Sequence, residues 1–212
     1  MKLPEIKITY SKILDPIFVC YTQNDPLWKD RPYQPWSPPP EETVVAQVDE
    51  YKQIWKKYGE AILRGIITFF DIEFYENVIE VYIVSKNPRG FSNPLILSSS
   101  YSEDAFIMTL THELIHRLSE GNKFTVGMQK KIAPGSPQLT RNHVIVHAAL
   151  KYIYLDVLNR PDLLELDINP PNGYMFKEYS DAWDIVEEKG YKNLIEQFKM
   201  LYKQYGIKPL SL

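Results

Sequence analysis

Five residues of this 212-residue chain, His112-Glu113-Leu114-Ile115-His116, have the types and the spacing for metal chemistry. A helix advances about 100° per residue, so side chains four apart leave one face, one turn apart. Two neutral imidazoles so placed can bind a single Zn²⁺ at about 2.0–2.1 Å. Glu113, next to His112, is placed to take a proton from a zinc-activated water rather than to ligate. A third ligand must come from elsewhere, because Glu120 on the same face stands about 12 Å along the helix axis from His112. The other two of the four histidines, His143 and His147, are again four apart. The economical arrangement brings two helices together around one metal. One of the second pair then completes three protein ligands and leaves the fourth position to water. The spacing leaves open which of His143 and His147 binds, with Asp156 and Glu165 as outside candidates.

These residues need elements to position them. Residues 101–120 are expected to form the helix of the first pair, with Ser100 and Glu103 as a capping box and Gly121-Asn122 as its end. Ile107, Leu110, Leu114 and Leu118 give it an apolar face that would seat it against a sheet. Residues 123–139 read as a loop. The second pair falls on a helix from about Arg141 to Leu158, with Thr140 as N-cap and Pro161 beyond its end. His143, His147, Leu150, Tyr154 and Leu158 share one stripe of it.

Upstream, residues 5–22 read as one or two strands, from the alternation of Ile6, Ile8 and Tyr10 and the run Ile17-Phe18-Val19 after Asp15-Pro16. Residues 24–40 are irregular because of Pro26, Pro32, Pro35, Pro38, Pro39 and Pro40, with Trp28, Tyr33 and Trp36 interleaved. That composition suggests a flap over the domain. Val44, Val48, Tyr51, Trp55, Tyr58 and Ile62 mark a helix over 41–63. Residues 66–98 read as sheet: Val78–Val84 is β-branched, Asn87-Pro88-Arg89-Gly90 is a turn, and Pro94–Ser98 is a short strand whose proline favours an edge. Asn169–Gly173 forms a break, followed by amphipathic helices over about 177–188 and 191–205 with Trp183, Leu194 and Phe198 on their apolar faces. The expected fold is α+β: a small mixed sheet packed on two metal-ligand helices. Residues 1–170 would form the domain, and residues 171–212 a helical extension packed on it.

The HExxH segment, a short strand before its helix and a second ligand-bearing helix after it resemble the zincin metallopeptidases. The likeness covers residues 95–158, about a third of the chain. The metzincin branch is excluded, because Ser119 and Asn122 stand where its motif continues with glycine and histidine. In the gluzincin branch the later helix supplies a glutamate ligand, and an Asp or Asn four residues on supports a ligand histidine without touching the ion. That spacing puts His143 at the ligand position and His147 at the supporting one, both of them histidine in this chain. The resemblance implies a zinc peptidase in which Glu113 is the general base, with an extended peptide added to the sheet edge near Leu95–Leu97.

Composition bounds the remaining classes. The chain is 44% hydrophobic and 24% charged, which argues for a folded domain. Net charge is −3, and no basic run exceeds two adjacent residues, so nucleic acid is not the expected partner. Cys20 is the one cysteine and cannot form an intrachain disulfide; it is expected to be a buried small apolar residue. No apolar stretch resembles a signal peptide or a membrane span, so a cytoplasmic setting without membrane partners is the default. The expected partner is a peptide or protein substrate. The competing readings are a zinc hydrolase of some other substrate and a non-catalytic, zinc-stabilised interaction protein.

Overall fold

The computed structural model describes residues 2–24, 36–87, 89–121, 124, 126–171 and 176–205. It is a mixed α+β structure with a small four-stranded sheet and mostly helices. The chain divides into two compact units. One holds Pro4–Lys57 and Asn77–Glu113; the other holds Met1–Leu3, Tyr58–Glu76 and Leu114–Leu212.

The first unit carries the sheet, made of β1 (Glu5–Tyr10), β2 (Val78–Val84), β3 (Phe91–Ser92) and β4 (Leu95–Ser98) in the order β1-β2-β4-β3. Both β1 and β4 run parallel to β2, with Ile8 opposite Val81 and Ile83 opposite Leu97. The two-residue β3 is antiparallel to β4. This corrects the edge assignment of Leu95–Ser98: β4 is internal, and every one of its residues is buried. Pro94 misled because it lies in the turn before the ladder, where its missing N–H costs no sheet hydrogen bond. Over Leu95 and Ile96, β4 already has strands on both sides, so a peptide cannot add there.

Residues 15–24 form a helix, α1, where the sequence suggests a strand. The signals are at its start. Ser11 Oγ accepts from Leu14 N at 3.3 Å, Asp15 suits the positive helix end, and Pro16 in the first turn gives up no hydrogen bond. Cys20 is exposed on this helix, not buried. Asp15 is buried and gathers three donors: Ser85 N at 2.5 Å, Ser85 Oγ at 2.9 Å and Tyr10 OH at 2.9 Å. One carboxylate thus ties α1, β1 and the end of β2.

The proline-rich segment falls mainly outside the described residues; 36–40 have no regular structure. The next helix, α2 (Glu41–Phe70), runs past its expected end. It stops where Asp71 turns left-handed at φ 57°, and Asp71 N bonds Ile67 O at 2.8 Å. Residues 66–70, expected in sheet, are therefore helical. Within the first unit, Tyr51 of α2 stacks on Phe106 at 4.1 Å and accepts a hydrogen bond from Tyr101 N at 3.0 Å.

The helix of the first histidine pair, α3 (Glu103–Gly121), is shared by the two units. Its cap is Ser102, whose Oγ accepts from Ala105 N at 3.3 Å; Ser100 bonds Ser98 Oγ instead. The second unit continues with α4 (Val126–Ile132), a short helix inside the expected loop. After it come α5 (Gln138–Tyr152), a π-helical turn (Ile153–Val157), α6 (Pro161–Ile168), α7 (Lys177–Lys189) and α8 (Tyr191–Tyr205). Thr140 does not cap α5; the helix begins three residues earlier, with Arg141 N bonded to Pro137 O at 3.0 Å, and Thr140 is buried inside it. Pro161 opens α6. In the second unit α5 packs against α7 and α8. Among the described residues, no helix is long and apolar enough to cross a membrane.

The Asp15 node yields the first prediction. Asp15→Ala leaves buried donors of Ser85 and Tyr10 to find other acceptors and should cost about 2 kcal/mol in urea unfolding. A loss below about 0.5 kcal/mol would show that the node adds no net stability.

Candidate metal centre

The helix α3 carries His112 and His116 at successive turns, both half-buried. Its apolar residues Ile107, Leu110, Leu114 and Leu118 are all buried, which fixes its rotation and hence the direction of the histidines. Helix α5 is buried without interruption from His143 to Leu150, so it has no solvent face over that length. His143 is 3% exposed and His147 1% exposed.

One potential ligand atom from each of His112, His116 and His143 lies within 4.8 Å of the others, a group that could hold a metal ion. Tetrahedral zinc holds nitrogen ligands about 3.3 Å apart, given bonds of about 2.05 Å. Side-chain adjustments on the order of 1 Å therefore close the set. His147 is not in this group. Asp156 and Glu165 are not in it either: Asp156 accepts from Tyr191 OH at 2.9 Å, and Glu165 from Asn169 Nδ2 at 2.8 Å. The side chain of Glu120 lies outside the described residues.

The surroundings of His143 set its orientation. Its Nδ1 is 2.8 Å from Leu139 O, one turn earlier. With Nδ1–H donating to that carbonyl, the lone pair is on Nε2, which is the nitrogen left for a metal. The His116 and His143 rings are 5.1 Å apart at 76°, and the His143 and His147 rings 5.6 Å apart at 55°. Tyr179 of α7 lies 4.0 Å from His143 at 32°, and Trp183, one turn on, is stacked 4.4 Å from His147 at 16°.

Burial keeps these imidazoles neutral. It pushes His116 down to about 3, helped by the neighbouring His143. The same cause lowers His143, against the opposing pull of Leu139 O, and takes His147 well below the usual imidazole value. Neutral imidazole is the form that ligates, and a set of nitrogen donors suits zinc and other late transition metals rather than magnesium or calcium. The residues therefore fit the metal that the HExxH spacing implies.

Glu113 is 8% exposed. A Cβ built on Gly90 would come 2.5 Å from Glu113 Oε1 and 2.9 Å from Thr109 Cγ2. The backbone before β3 thus passes so close to the carboxylate that a side chain at position 90 would have to displace it. The Tyr101 phenol is pushed up, chiefly by burial and next by the charge of Glu113.

Sequence reasoning did not single out Leu139, Gly90, Tyr179 or Trp183 for the site. One signal was available: Tyr179 and Trp183 repeat the four-residue spacing of His143 and His147 on a neighbouring helix. No family model, curated protein or solved structure matches the chain.

The shifts give a pH prediction for the metal-free protein. A histidine whose folded pKa lies below its unfolded value of about 6.5 adds stability above that value, and loses it as pH falls towards the folded pKa. Three histidines act this way, and for His116 the window runs from 6.5 to about 3. Asp167, raised by burial to about 6 from 3.8, acts in the opposite sense, since its contribution is lost as pH rises through 6. Three groups outweigh one, so the urea midpoint should fall steadily from pH 7 to pH 4.5. A midpoint that held constant to pH 5 would contradict neutral, buried imidazoles.

Proposed function

We propose that the protein is a zinc-dependent hydrolase of the HExxH type and that its substrates are peptides or proteins. The observation that carries this reading is the group of His112, His116 and His143, with Glu113 next to His112 on α3. Among the described residues the group has three members, the number that a catalytic zinc takes from its protein, and a purely structural zinc has no use for a base beside it. The likeness to zincins in sequence supports the peptide substrate; the reading does not depend on an edge-strand site at β4.

Bound zinc would supply an acidified water and a polarised substrate carbonyl. The chain's own residues do the rest. His112, His116 and His143 would hold the metal through neutral nitrogens. Glu113 would take the proton of the attacking water on a carboxylate oxygen and pass it to the leaving amine. Its low exposure favours this exchange, because few bulk waters compete for the carboxylate. Gly90 leaves the room in which that carboxylate sits.

Two measurements test the reading. Protein purified without chelator should hold about one zinc per chain by elemental analysis. Glu113→Gln should keep the metal and lose hydrolysis of a mixed library of quenched fluorogenic peptides by about 10²- to 10⁴-fold. Activity that survives this change would remove Glu113 from the mechanism. The third ligand is decided separately: His143→Ala should abolish zinc retention, and His147→Ala should leave about one zinc in place. The reverse pattern would move the ligand to His147.

A further inference from the structure

Helix α7 lies beyond the HExxH and second-histidine segments, yet its packing on α5 sets two aromatic rings over two imidazoles in register. Tyr179 covers His143 and Trp183 covers His147, each partner pair four residues apart on its own helix. The first contact matters most, because His143 is in the metal group.

Two restraints act on the His143 ring, and they differ in kind. The bond from Nδ1 to Leu139 O fixes the direction of one ring edge. With Cβ held on α5, that bond still leaves the ring small coupled changes of its two side-chain torsions, which tilt its plane. The face of Tyr179, 4.0 Å away at 32°, fixes the plane. Together they fix where Nε2 points, which is what a ligand needs before the ion arrives. Behind it, Trp183 holds His147 at 4.4 Å and 16°, and His147 in turn stands 5.6 Å from His143. The stack has an electronic side as well. An imidazole that donates its lone pair to a cation becomes electron-poor, and an electron-rich phenol face favours that state over the free ring.

We propose that Tyr179, backed by Trp183, is a positioning residue of the metal centre: its ring holds His143 in the ligating orientation, so that helix α7 sets the affinity for zinc. The proposal rests on the zinc reading above. It makes the C-terminal helices part of the site. It also gives the face of α7 towards α5 a function other than core burial, since an aliphatic side chain would fill the same space without fixing a ring plane.

Zinc affinity is the direct readout, measured with Zn²⁺ alone against a competing chelator dye. Tyr179→Phe keeps the ring and should bind within about threefold of the wild type. Tyr179→Leu keeps apolar bulk without the plane and should bind at least about tenfold more weakly, the loss typical of groups that orient a ligand. The Co²⁺-substituted protein should show the same order, with the ligand-field bands of the leucine variant shifted or weakened and those of the phenylalanine variant unchanged. A merely structural role would lower the melting temperature of the metal-free leucine variant and leave its affinity intact. If that variant does not fold, Tyr179→Met, whose flexible chain fills the space, takes its place under the same expectation. Wild-type affinity in the aliphatic variant overturns the proposal. A wild-type chain that binds no zinc overturns the metal reading itself, which is a different result.

Discussion

The interaction on which the second unit turns is the burial of two imidazoles on a helix that has no wet face. From His143 to Leu150, α5 is covered on every side. An imidazole removed from water has to exchange its lost hydration for something else. For His143 the structure provides a carbonyl one turn back and an aromatic face; for His147 it provides the indole of Trp183. These substitutes fix the start of α5 early enough to include Leu139 and the rotation of α7, while burial itself keeps both rings neutral. A helix serving only as core would carry aliphatic residues at these positions and need none of this.

The first unit imposes a different constraint, on α3. Tyr51 sits between the sheet and that helix's N-terminal half: its ring stacks on Phe106, and its hydroxyl meets the backbone of Tyr101 in the turn that leads from β4 into α3. Phe106, Ile107 and Leu110 are buried. The rotation of α3 is therefore set before the chain reaches His112. Since side chains four apart must share a face, the second histidine follows from the first.

What was legible in the sequence follows from this. The helix at 103–121, its apolar stripe and its histidine pair are local matters of period and spacing, and they could be read directly. So could the amphipathic helices at 177–189 and 191–205. Misreadings occurred where local signals compete. Ile17-Phe18-Val19 favours a strand by propensity, but Asp15-Pro16 starts a helix, and the tertiary node at Ser85 settles the contest. Pro94 suggests an edge but precedes an internal strand, whereas Pro161 lies beyond the end of the second histidine helix as expected and also opens α6. Thr140 has the chemistry of a cap, yet it lies within the helix, because Pro137 allows an earlier start. The contact of His143 with Leu139 was hidden because α5 starts earlier than Thr140 suggests, and its contact with Tyr179 was marked only by a shared four-residue spacing, since it depends on which face of α5 meets α7.

Glu113 bears on why a catalytic reading is preferable to a purely structural one. A carboxylate is expensive to bury, and a helix that needed only its two histidines would gain by turning this residue to water or replacing it. The chain instead keeps it 8% exposed and passes the backbone at Gly90 so close that a Cβ there would push Oε1 aside. The phenol of Tyr101 is held neutral partly by the same negative charge. The cost falls on three separate segments of the first unit: the one before β3, the turn after β4 and the N-terminal part of α3. An acid kept nearly dry, one residue from a candidate ligand, has a use if protons pass through it. A metal that only staples helices together would give no reason to retain it.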